Sequence, residues 1–274
     1  MIERNDSLGM RAMTMDDTVE QTPVLATLGL TKSFRRLAAL KNHSIRVKRG
    51  EIVGVIGPNG SGKSTFFNLV TGFLKPNAGT VKFEGREIQQ LTAPEIVRRG
   101  VARTFQGTRL FPKLSVRENL QAAAQLRHRL GFLDAVLGLP RLSQVNEAVD
   151  ALTDEMLELV GLQKRAEIRA ADLAYGEQRR LELLRALATR PRLLMLDEPA
   201  AGMNAAETQD LLKLIETIRK RYKVAVIVVE HDMDLIMNLC DRIQVLAHGE
   251  VIFEGNPVEV QANPKVREVY LGHA

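Results

Sequence analysis

Three features that define common protein classes are missing from this sequence. It holds one cysteine, Cys240, so no intrachain disulfide can form, and a reducing compartment such as the cytoplasm is the simplest setting. No apolar run approaches the length of a membrane span. Residues 1–22 are polar, rich in methionine and without the apolar segment of a secretory signal, so we expect a mobile N-terminal tail. Such a chain can serve a membrane process only through a partner.

Bulk composition is that of an ordinary globular protein. The chain has 274 residues, of which 45% are hydrophobic and 26% are charged, which is enough for a sizeable core. The formal net charge is only +5, and the basic residues are scattered among acids. We therefore expect a mixed solvated surface and no nucleic-acid partner.

A glycine-rich stretch at 57–65, Gly-Pro-Asn-Gly-Ser-Gly-Lys-Ser-Thr, fits the phosphate-binding loop pattern at every fixed position. The apolar run 52–56 before it predicts a buried strand. Apolar residues after it recur with helical spacing, at Phe66, Leu69, Val70 and Phe73. The stretch therefore joins a strand end to a helix start, where backbone amides and the helix dipole attract phosphate.

This loop supplies the candidate nucleotide contacts. We expect Lys63 to reach the β- and γ-phosphates and to act in catalysis, Ser64 to offer its hydroxyl to Mg²⁺, and Thr65 to contact a phosphate oxygen. The other loop residues that we expect at the phosphates are Asn59, Gly60, Ser61 and Gly62. A plain glycine-rich turn with an exposed lysine is the alternative, and the agreement between motif and flanks disfavours it.

The hydrophobic pattern predicts an α/β fold with a mainly parallel sheet. Unbroken apolar runs suit parallel strands that are covered on both faces, and they occur at 52–56, 101–105, 193–196 and 224–229. Partly alternating segments predict an antiparallel patch beside that sheet, at 24–30, Ile45, Val47, Val81 and Phe83. A late hairpin is predicted around His248-Gly249, and a helical tail at 263–271.

The middle of the chain differs, because no strand is predicted between Ser115 and Arg190. An amphipathic helix is indicated by Val145, Val149, Leu152, Met156 and Leu159, with Gly161 as its end. Residues 130–142 predict a short helix and a loop. We interpret residues 107–190, approximately, as a helical subdomain inserted into the α/β core.

Polar side chains follow three of the predicted parallel strands. Asp197 and Glu198 end one strand. Asp197 suits a contact with Mg²⁺ through water, opposite Ser64, and Glu198 suits a general base for an attacking water. Gln106 can contact Mg²⁺ and water without adding charge, and His231 can donate to the γ-phosphate. The alternatives are a helix cap or surface turn for the two acids, a structural histidine and a surface glutamine.

A second candidate anion site lies at 173–178, Leu-Ala-Tyr-Gly-Glu-Gln, which precedes a helix carrying Arg179, Arg180 and Arg185. A glycine at a helix start is the alternative, and spacing alone does not decide between them.

In this order the motifs resemble the ATP-binding subunit of ABC transporters: Walker A at 57–65, a Q-loop at Gln106, a signature at 173–178, Walker B at 193–198 and a switch histidine at His231. The resemblance covers residues 23–274 as one ABC ATPase domain. It implies ATP and Mg²⁺ as cofactors and two chains that sandwich two ATP molecules. It also implies that Ala174 and Gly176 face the partner chain's γ-phosphate and that Phe34 stacks on adenine, unless Phe34 is an ordinary core residue.

Two segments depart from the usual family pattern. The signature has Ala174, Tyr175 and Glu177 where the family has serine, glycine and glutamine, so contacts to the partner's phosphate would rely on backbone amides. The D-loop ends in Asn204 instead of aspartate. Glu198 and His231 are intact, and we therefore expect an active ATPase.

The variants are similar to the branched-chain amino-acid uptake branch of the family. The resemblance is carried by 103–106, 173–176, 197–204, 230–233 and the ending Tyr-Leu-Gly-His-Ala. It implies a second ATPase chain, membrane permease subunits and, indirectly, a periplasmic substrate-binding protein, with this chain on the cytoplasmic face of the inner membrane. The candidate lining of the permease groove is Phe105, Leu110, Phe111 and Leu114, whose alternative is helical-subdomain core.

Other functions stay open at this point. Lipopolysaccharide-export and urea-uptake ATPases carry similar signatures, so the same enzyme could serve another cargo. Soluble ABC proteins of translation or DNA repair usually carry two cassettes or a long coiled-coil insertion, which this chain lacks. A phosphate-loop kinase would lack the signature and the switch histidine.

Overall fold

The computed structural model describes residues 22–127 and 140–271. Ten strands lie in these ranges: β1 (Leu25–Phe34), β2 (Leu37–Val47), β3 (Ile52–Ile56), β4 (Ala78–Phe83), β5 (Arg86–Glu87), β6 (Val101–Arg103), β7 (Leu193–Asp197), β8 (Ala225–Val229), β9 (Arg242–Ala247) and β10 (Glu250–Gly255). The described helices are α1 (Lys63–Val70), α2 (Ala93–Arg99), α3 (Val116–Ala124), α4 (Pro140–Val160), α5 (Tyr175–Ala188), α6 (Ala205–Tyr222), α7 (Met233–Leu239), α8 (Pro257–Ala262) and α9 (Pro264–Leu271).

A six-stranded sheet in the order β10-β9-β3-β8-β7-β6 forms the centre of the fold. All its neighbouring pairs are parallel except β10 and β9, which form an antiparallel edge hairpin. Every residue of β3, β7 and β8 is buried, as expected for parallel strands covered on both faces. The predicted α/β class with a mainly parallel sheet is confirmed.

The antiparallel patch is a separate four-stranded sheet in the order β2-β1-β4-β5. β1 pairs with β2 and β4, and its pairing shifts register between Thr27 and Leu30. Gly29 lies in this interval with a left-handed φ of 61°, a conformation that glycine adopts at little cost. The predicted patch is therefore present, and it packs over the same core as α1.

Alternate residues of the central strands face two different hydrophobic layers. Ile52 and Ile56 of β3 join the layer that includes α3, α5 and α6, whereas Val53 and Val55 join the layer beneath the antiparallel sheet and α1. The parallel sheet thus stands between two cores. This arrangement fixes the ends of its strands and therefore the loops that follow them.

Two predicted boundaries in the α/β core were wrong. The helix after the phosphate-binding loop ends at Val70, and Gly72, at a left-handed φ of 77°, follows it. Phe73 therefore lies beyond the helix, 55% exposed, instead of on its buried face. The strand predicted at 101–105 ends at Arg103; Thr104 still donates its N–H to Met195 O, and the chain then leaves the sheet.

The described part of the middle region is helical, as predicted. α4 includes the expected amphipathic stretch, and Gly161 follows its last residue with a left-handed φ of 68°. One isolated bridge joins Ser115 to Arg169. Residues 130–139 of the predicted short helix and loop, and residues 1–21 of the predicted tail, lie outside the described residues, and the subdomain limits of about 107–190 stay a prediction.

The β9–β10 hairpin turns through His248 and Gly249, as predicted, and both have positive φ angles, of 51° and 83°. Such a pair is typical of the two-residue turn that matches the twist of the flanking strands. The Gly249 N–H donates to Ser61 O, and the Lys41 N–H donates to Gly249 O. The turn of the hairpin therefore joins the phosphate-binding loop to β2 through backbone hydrogen bonds. The helical tail that the sequence predicts at 263–271 is present as α9.

Candidate functional site

The motif residues converge on one edge of the central sheet. β6, β7, β8 and β3 are parallel neighbours, so their carboxyl ends lie side by side. The loop at 57–62 follows β3, and Gln106, Glu198 and His231 follow β6, β7 and β8. The structure thus brings together four segments that are far apart in the sequence.

Close backbone approach explains two glycines of the loop. A Cβ atom on Gly57 would lie 2.1 Å from Leu246 O, and one on Gly62 would lie 2.6 Å from Ala39 O, with Gly62 at a φ of 109°. Any other residue would have to push these backbone oxygens away. The loop is therefore pressed between β2 and β9, and its shape is fixed before α1 begins at Lys63.

The buried polar atoms of the loop suit a phosphate chain. Lys63 Nζ donates to Gly57 O at 2.6 Å and to Pro58 O at 3.0 Å, so the ammonium group lies inside the curve of the loop. Burial lowers the pKa of Lys63, while the carboxylates of Glu198 and Asp197 oppose that shift. Ser61 Oγ is buried without a hydrogen-bond partner in the described structure, and a phosphate oxygen at this loop would supply one.

The remaining positions of the loop lie closer to the protein surface. Asn59 and Gly60 are exposed, as is Ser64 in the first turn of α1, and Thr65 is half-buried. Ser64 and Thr65 lie in the first turn of α1, where unpaired backbone N–H groups attract an anion. All the predicted residues of the loop thus lie in one continuous segment between the end of β3 and the first turn of α1.

Glu198 is held by two side chains from the neighbouring strand ends. Its Oε1 lies 2.8 Å from His231 Nε2, and its Oε2 accepts a hydrogen bond of 2.9 Å from Gln106 Nε2. The residue itself has a φ of 47°, which is unusual for a side chain with a Cβ and marks a strained position. The three residues predicted to act on water therefore form one contiguous group.

Glu230 supports this group and was missed by the sequence analysis. It is 5% exposed, and its carboxylate accepts hydrogen bonds from the N–H groups of Ala200 and His231. Burial raises the pKa of Glu230, and these backbone donors oppose the shift. Glu230 thereby ties the turn after Glu198 to the end of β8. The sequence feature that could have identified Glu230 is an acidic residue directly after an apolar strand.

Asp197 is paired with a buried arginine from the adjacent strand. Arg103 Nη2 donates to Asp197 Oδ2 at 2.7 Å, and the two side chains are 8% and 11% exposed. Arg103 also donates to Asn68 Oδ1 of α1 and lies over the rings of Phe67 and Phe105. Arg103 therefore joins the predicted metal ligand to the helix of the phosphate-binding loop.

The signature-like segment begins α5. Ala174 is the N-cap of the helix and has no side-chain acceptor, and the Glu177 carboxylate accepts from the Ala174 N–H at 3.0 Å. Glu177 is itself held by Arg165, at 2.6 and 2.7 Å. A Cβ on Gly176 would lie 2.6 Å from Glu207 Oε1. Glu177 therefore serves this chain as a helix cap.

Asn204, the departure at the end of the D-loop, also caps a helix. Its side-chain oxygen accepts from the Glu207 N–H at 3.0 Å, and Glu207 accepts from the Asn204 N–H at 3.0 Å. This reciprocal pair starts α6. An aspartate would make the same first contact, so the substitution leaves the helix start intact.

Phe34 ends β1 at the hairpin with β2, opposite Leu37. It is 44% exposed, and Lys32 Nζ lies 5.5 Å from its ring centroid. Phe34 is therefore a surface aromatic residue instead of a core residue. Its contact with adenine stays a prediction.

Comparisons with known proteins show which family the chain belongs to. A family described as "ABC transporter" matches residues 40–201, and one described as "Branched-chain amino acid ATP-binding cassette transporter" matches residues 250–274. The chain belongs to the ABC transporter family. Within this family, it is 43% identical over 253 residues to the high-affinity branched-chain amino acid transport ATP-binding protein LivG of Salmonella typhimurium, covering 92% of this chain and 99% of that protein.

Other ABC relatives are similar over comparable lengths. The high-affinity branched-chain amino acid transport ATP-binding protein BraF of Pseudomonas aeruginosa is 42% identical, over 92% of this chain and 99% of that protein. A crystal structure of the ADP conformation of an ATP-binding cassette of an ABC transporter superimposes with a TM-score of 0.79 at 31% identity, over 92% of this chain and 99% of that one. None of the helices in the described ranges has both the length and the apolar character to cross a membrane.

Proposed function

We propose that this chain is the ATP-hydrolysing subunit of an ABC importer for branched-chain amino acids. Family membership supports ATP as the nucleotide. The observation that carries the chemistry is the contact of Glu198 with both Gln106 and His231 at the end of the sheet that also holds the phosphate-binding loop. A carboxylate held in this position suits a general base for water attack.

The phosphate chain of ATP would lie in the cradle at 57–65. Backbone N–H groups, the Lys63 ammonium and the Ser61 hydroxyl would face its oxygens, with Thr65 beside them. The buried Ser61 Oγ gains a partner in this arrangement. Phe34 would stack on adenine at the open side.

The predicted ligands at positions 64, 106 and 197 would suit a magnesium ion. The exposed Ser64 hydroxyl, the Asp197 carboxylate and the amide oxygen of Gln106 are oxygen ligands of the kind that Mg²⁺ prefers, with phosphate and water completing its shell. When bound, Mg²⁺ neutralises charge on the β- and γ-phosphates. The side-chain amide of Gln106 donates an N–H to Glu198, so the amide oxygen of Gln106 is the atom available to a cation. Asp197 would act from its second oxygen or through water, because Arg103 holds Oδ2.

In the hydrolysis step, Glu198 would accept a proton from the attacking water. His231 Nε2 would orient the Glu198 carboxylate in the absence of nucleotide and would donate its N–H to the γ-phosphate once ATP is bound, while Gln106 would hold the other carboxylate oxygen. Lys63 would stabilise the charge that develops on the transferred phosphoryl oxygens.

A second ATPase chain would complete each nucleotide site. Support comes from a structural relative described as a dimeric structure of an ATP-binding cassette bound to ADP and phosphate, with a TM-score of 0.71. Ala174 and Gly176 would then face the partner's γ-phosphate through the N-terminal amides of α5. ATP would favour the closed dimer because it binds that state more tightly than the open one.

Membrane permeases would dock beside the Q-loop. Phe111 is 48% exposed and has the Arg185 guanidinium 4.7 Å from its ring centroid, and Phe73 packs edge-on against Phe105. Leu110 packs against the core, so it contributes less to this surface than expected. The chain would thus sit on the cytoplasmic face of the inner membrane, served indirectly by a periplasmic binding protein.

Purification from the native cell tests this assignment. The tagged chain would be solubilised gently from membranes, and its companions would be identified. Two permeases and a second similar ATPase support the proposal. Lipid-export or urea-uptake subunits would leave the ATPase in place and overturn the cargo, and ribosomes or DNA-repair proteins without a membrane chain would overturn the transporter.

A further inference from the structure

We propose that Tyr175 couples the signature segment of this chain to the catalytic group of the same chain, acting as a positioning residue through Arg179. The inference rests on the proposed two-chain ATP site and adds a role for the residue that replaces the usual signature glycine. Its basis is a continuous run of hydrogen bonds from α5 to Glu198.

The Tyr175 hydroxyl connects two segments. It donates to Ala201 O at 2.8 Å and accepts from Arg179 Nε at 3.0 Å. Its ring lies over Gly202, where an added Cβ would be 3.2 Å from the ring carbon Cε1 and the φ is 79°. Tyr175 therefore packs against Ala201 and Gly202, in the turn that comes shortly after Glu198.

Arg179 continues the connection to the Q-loop. The residue is 4% exposed, and its guanidinium donates to Gln106 O at 3.0 Å and Phe105 O at 3.3 Å. The charge is paired with Glu182 at 3.2 Å, and Glu182 also accepts from the Phe105 N–H. Because Gln106 is held by its backbone here, the side chain that contacts Glu198 is placed by α5.

These hydrogen bonds connect the signature segment to the Glu198 carboxylate by two routes. One passes from Tyr175 to Ala201 in the turn after Glu198, and the other passes through Arg179 to Gln106. In the proposed dimer, the neighbours of Tyr175, Ala174 and Gly176, face the partner's nucleotide. Engagement of that nucleotide would therefore influence the positions of Gln106 and Glu198 in this chain's own site.

Tyr175→Phe is the sharp test, because it removes both hydroxyl contacts and keeps the ring on Gly202. The complex purified from its native membranes would carry the substitution in this chain. We expect the KM for ATP to stay within about twofold and kcat to fall by about threefold to tenfold, the size expected if misplacement of Glu198 raises the barrier by the net free energy of about one hydrogen bond. The Hill coefficient for ATP should fall towards about 1.

Tyr222→Phe is the matched control, because Tyr222 also donates one hydroxyl hydrogen bond, to Glu155 Oε1 at 2.7 Å. Its kcat, KM and Hill coefficient should equal those of the parent. A second variant, Arg179→Lys, cannot donate to Tyr175 and both carbonyls together. Combining it with Tyr175→Phe should lower kcat by less than the product of the two single effects, because the two residues share the link to Gln106 whereas the contact with Ala201 belongs to Tyr175 alone.

The outcomes separate this inference from the proposed function. A parent complex without ATP turnover overturns both. An active parent whose Tyr175→Phe variant keeps the same kcat and the same response to ATP overturns the coupling alone, as does a fall in kcat shared equally by Tyr222→Phe. A selective fall in kcat with retained ATP affinity supports it.

Discussion

Glu198 Oε1 lies 2.8 Å from His231 Nε2, although 32 residues separate them in the sequence. The contact exists because β7 and β8 are parallel neighbours, paired from Leu193 and Ala225 to Asp197 and Val229. Each strand delivers one polar residue to the same edge of the sheet. The sheet topology, more than any local motif, therefore assembles the proposed hydrolytic group.

Glu198→Gln should abolish most ATP turnover while preserving ATP binding. The amide has the shape of the carboxylate but cannot accept a proton, so we expect kcat to fall by at least about 100-fold, the scale of general-base catalysis. Phosphate release and nucleotide-binding titration measure the two effects. Glu155→Gln, at a carboxylate that contacts Arg221 and Tyr222, is the control and should stay active. Parent-like turnover in Glu198→Gln would remove the base assignment.

Arg103→Met should destabilise the fold strongly, because it leaves Asp197 buried without its cation. Removing one partner of such a pair typically costs about 3–5 kcal/mol. Lys41→Met removes a pair whose side chains are 44% and 58% exposed, and should cost less than about 1 kcal/mol. Urea unfolding at neutral pH compares the two. Equal midpoints for both variants would show that the Arg103 pair contributes no more than a surface pair.

Gly62→Ala should disrupt the phosphate-binding loop beyond the effect of backbone strain. Gly62 combines a positive φ with a backbone oxygen 2.6 Å from the added Cβ, whereas Gly85 has a φ of 76° and nothing within 4 Å. Gly85→Ala should therefore lose about 1 kcal/mol from strain alone. Gly62→Ala should lose more and bind ATP poorly. Thermal unfolding and ATP titration test this, and equal losses in both variants would contradict the close approach.

Burial of His43 should make the fold less stable in mild acid. Burial lowers the pKa of His43 from 6.5 to about 4, and Gln244 and Glu254 oppose the shift. The unfolded chain therefore takes up a proton below about pH 6.5 that the folded chain resists, so stability falls as pH drops from about 6.5 to about 4. The full loss is about 3 kcal/mol. Burial raises the pKa of Glu182 and Glu230, which acts in the opposite direction.

A comparison with His43→Gln isolates the histidine, because the buried acids are common to both proteins. Urea unfolding at pH 7 and pH 5 should show a smaller loss in the variant than in the parent. The absolute stability of His43→Gln is not the readout, since the ring packs 4.5 Å from Phe66 and its loss has a cost of its own. An equal pH dependence in both proteins would refute the buried neutral state.

Local motifs located the glycine-rich loop and the strand-end residues that the structure brings to one edge of the sheet, because such motifs have fixed spacing. The roles of these residues at a nucleotide stay predictions. Arg103, Arg179 and Glu230 were missed as contact residues because their partners come from other strands and helices. Arg103 gave a usable signal, since a charged residue inside an apolar run requires a buried partner. Phe73 was assigned to the helix because its spacing continues the apolar pattern. The helix in fact ends at Val70, and Gly72, with a left-handed φ, turns the chain away before Phe73.

Uptake of radiolabelled leucine tests whether ATP hydrolysis by this chain powers the import of branched-chain amino acids. Cells lacking this chain would be complemented with the parent or with Glu198→Gln, at equal amounts of membrane-bound protein. We expect the parent to restore leucine uptake and Glu198→Gln to leave it at the level of the deletion strain. Equal uptake with both proteins, or uptake that is unchanged when the chain is removed, would contradict this expectation.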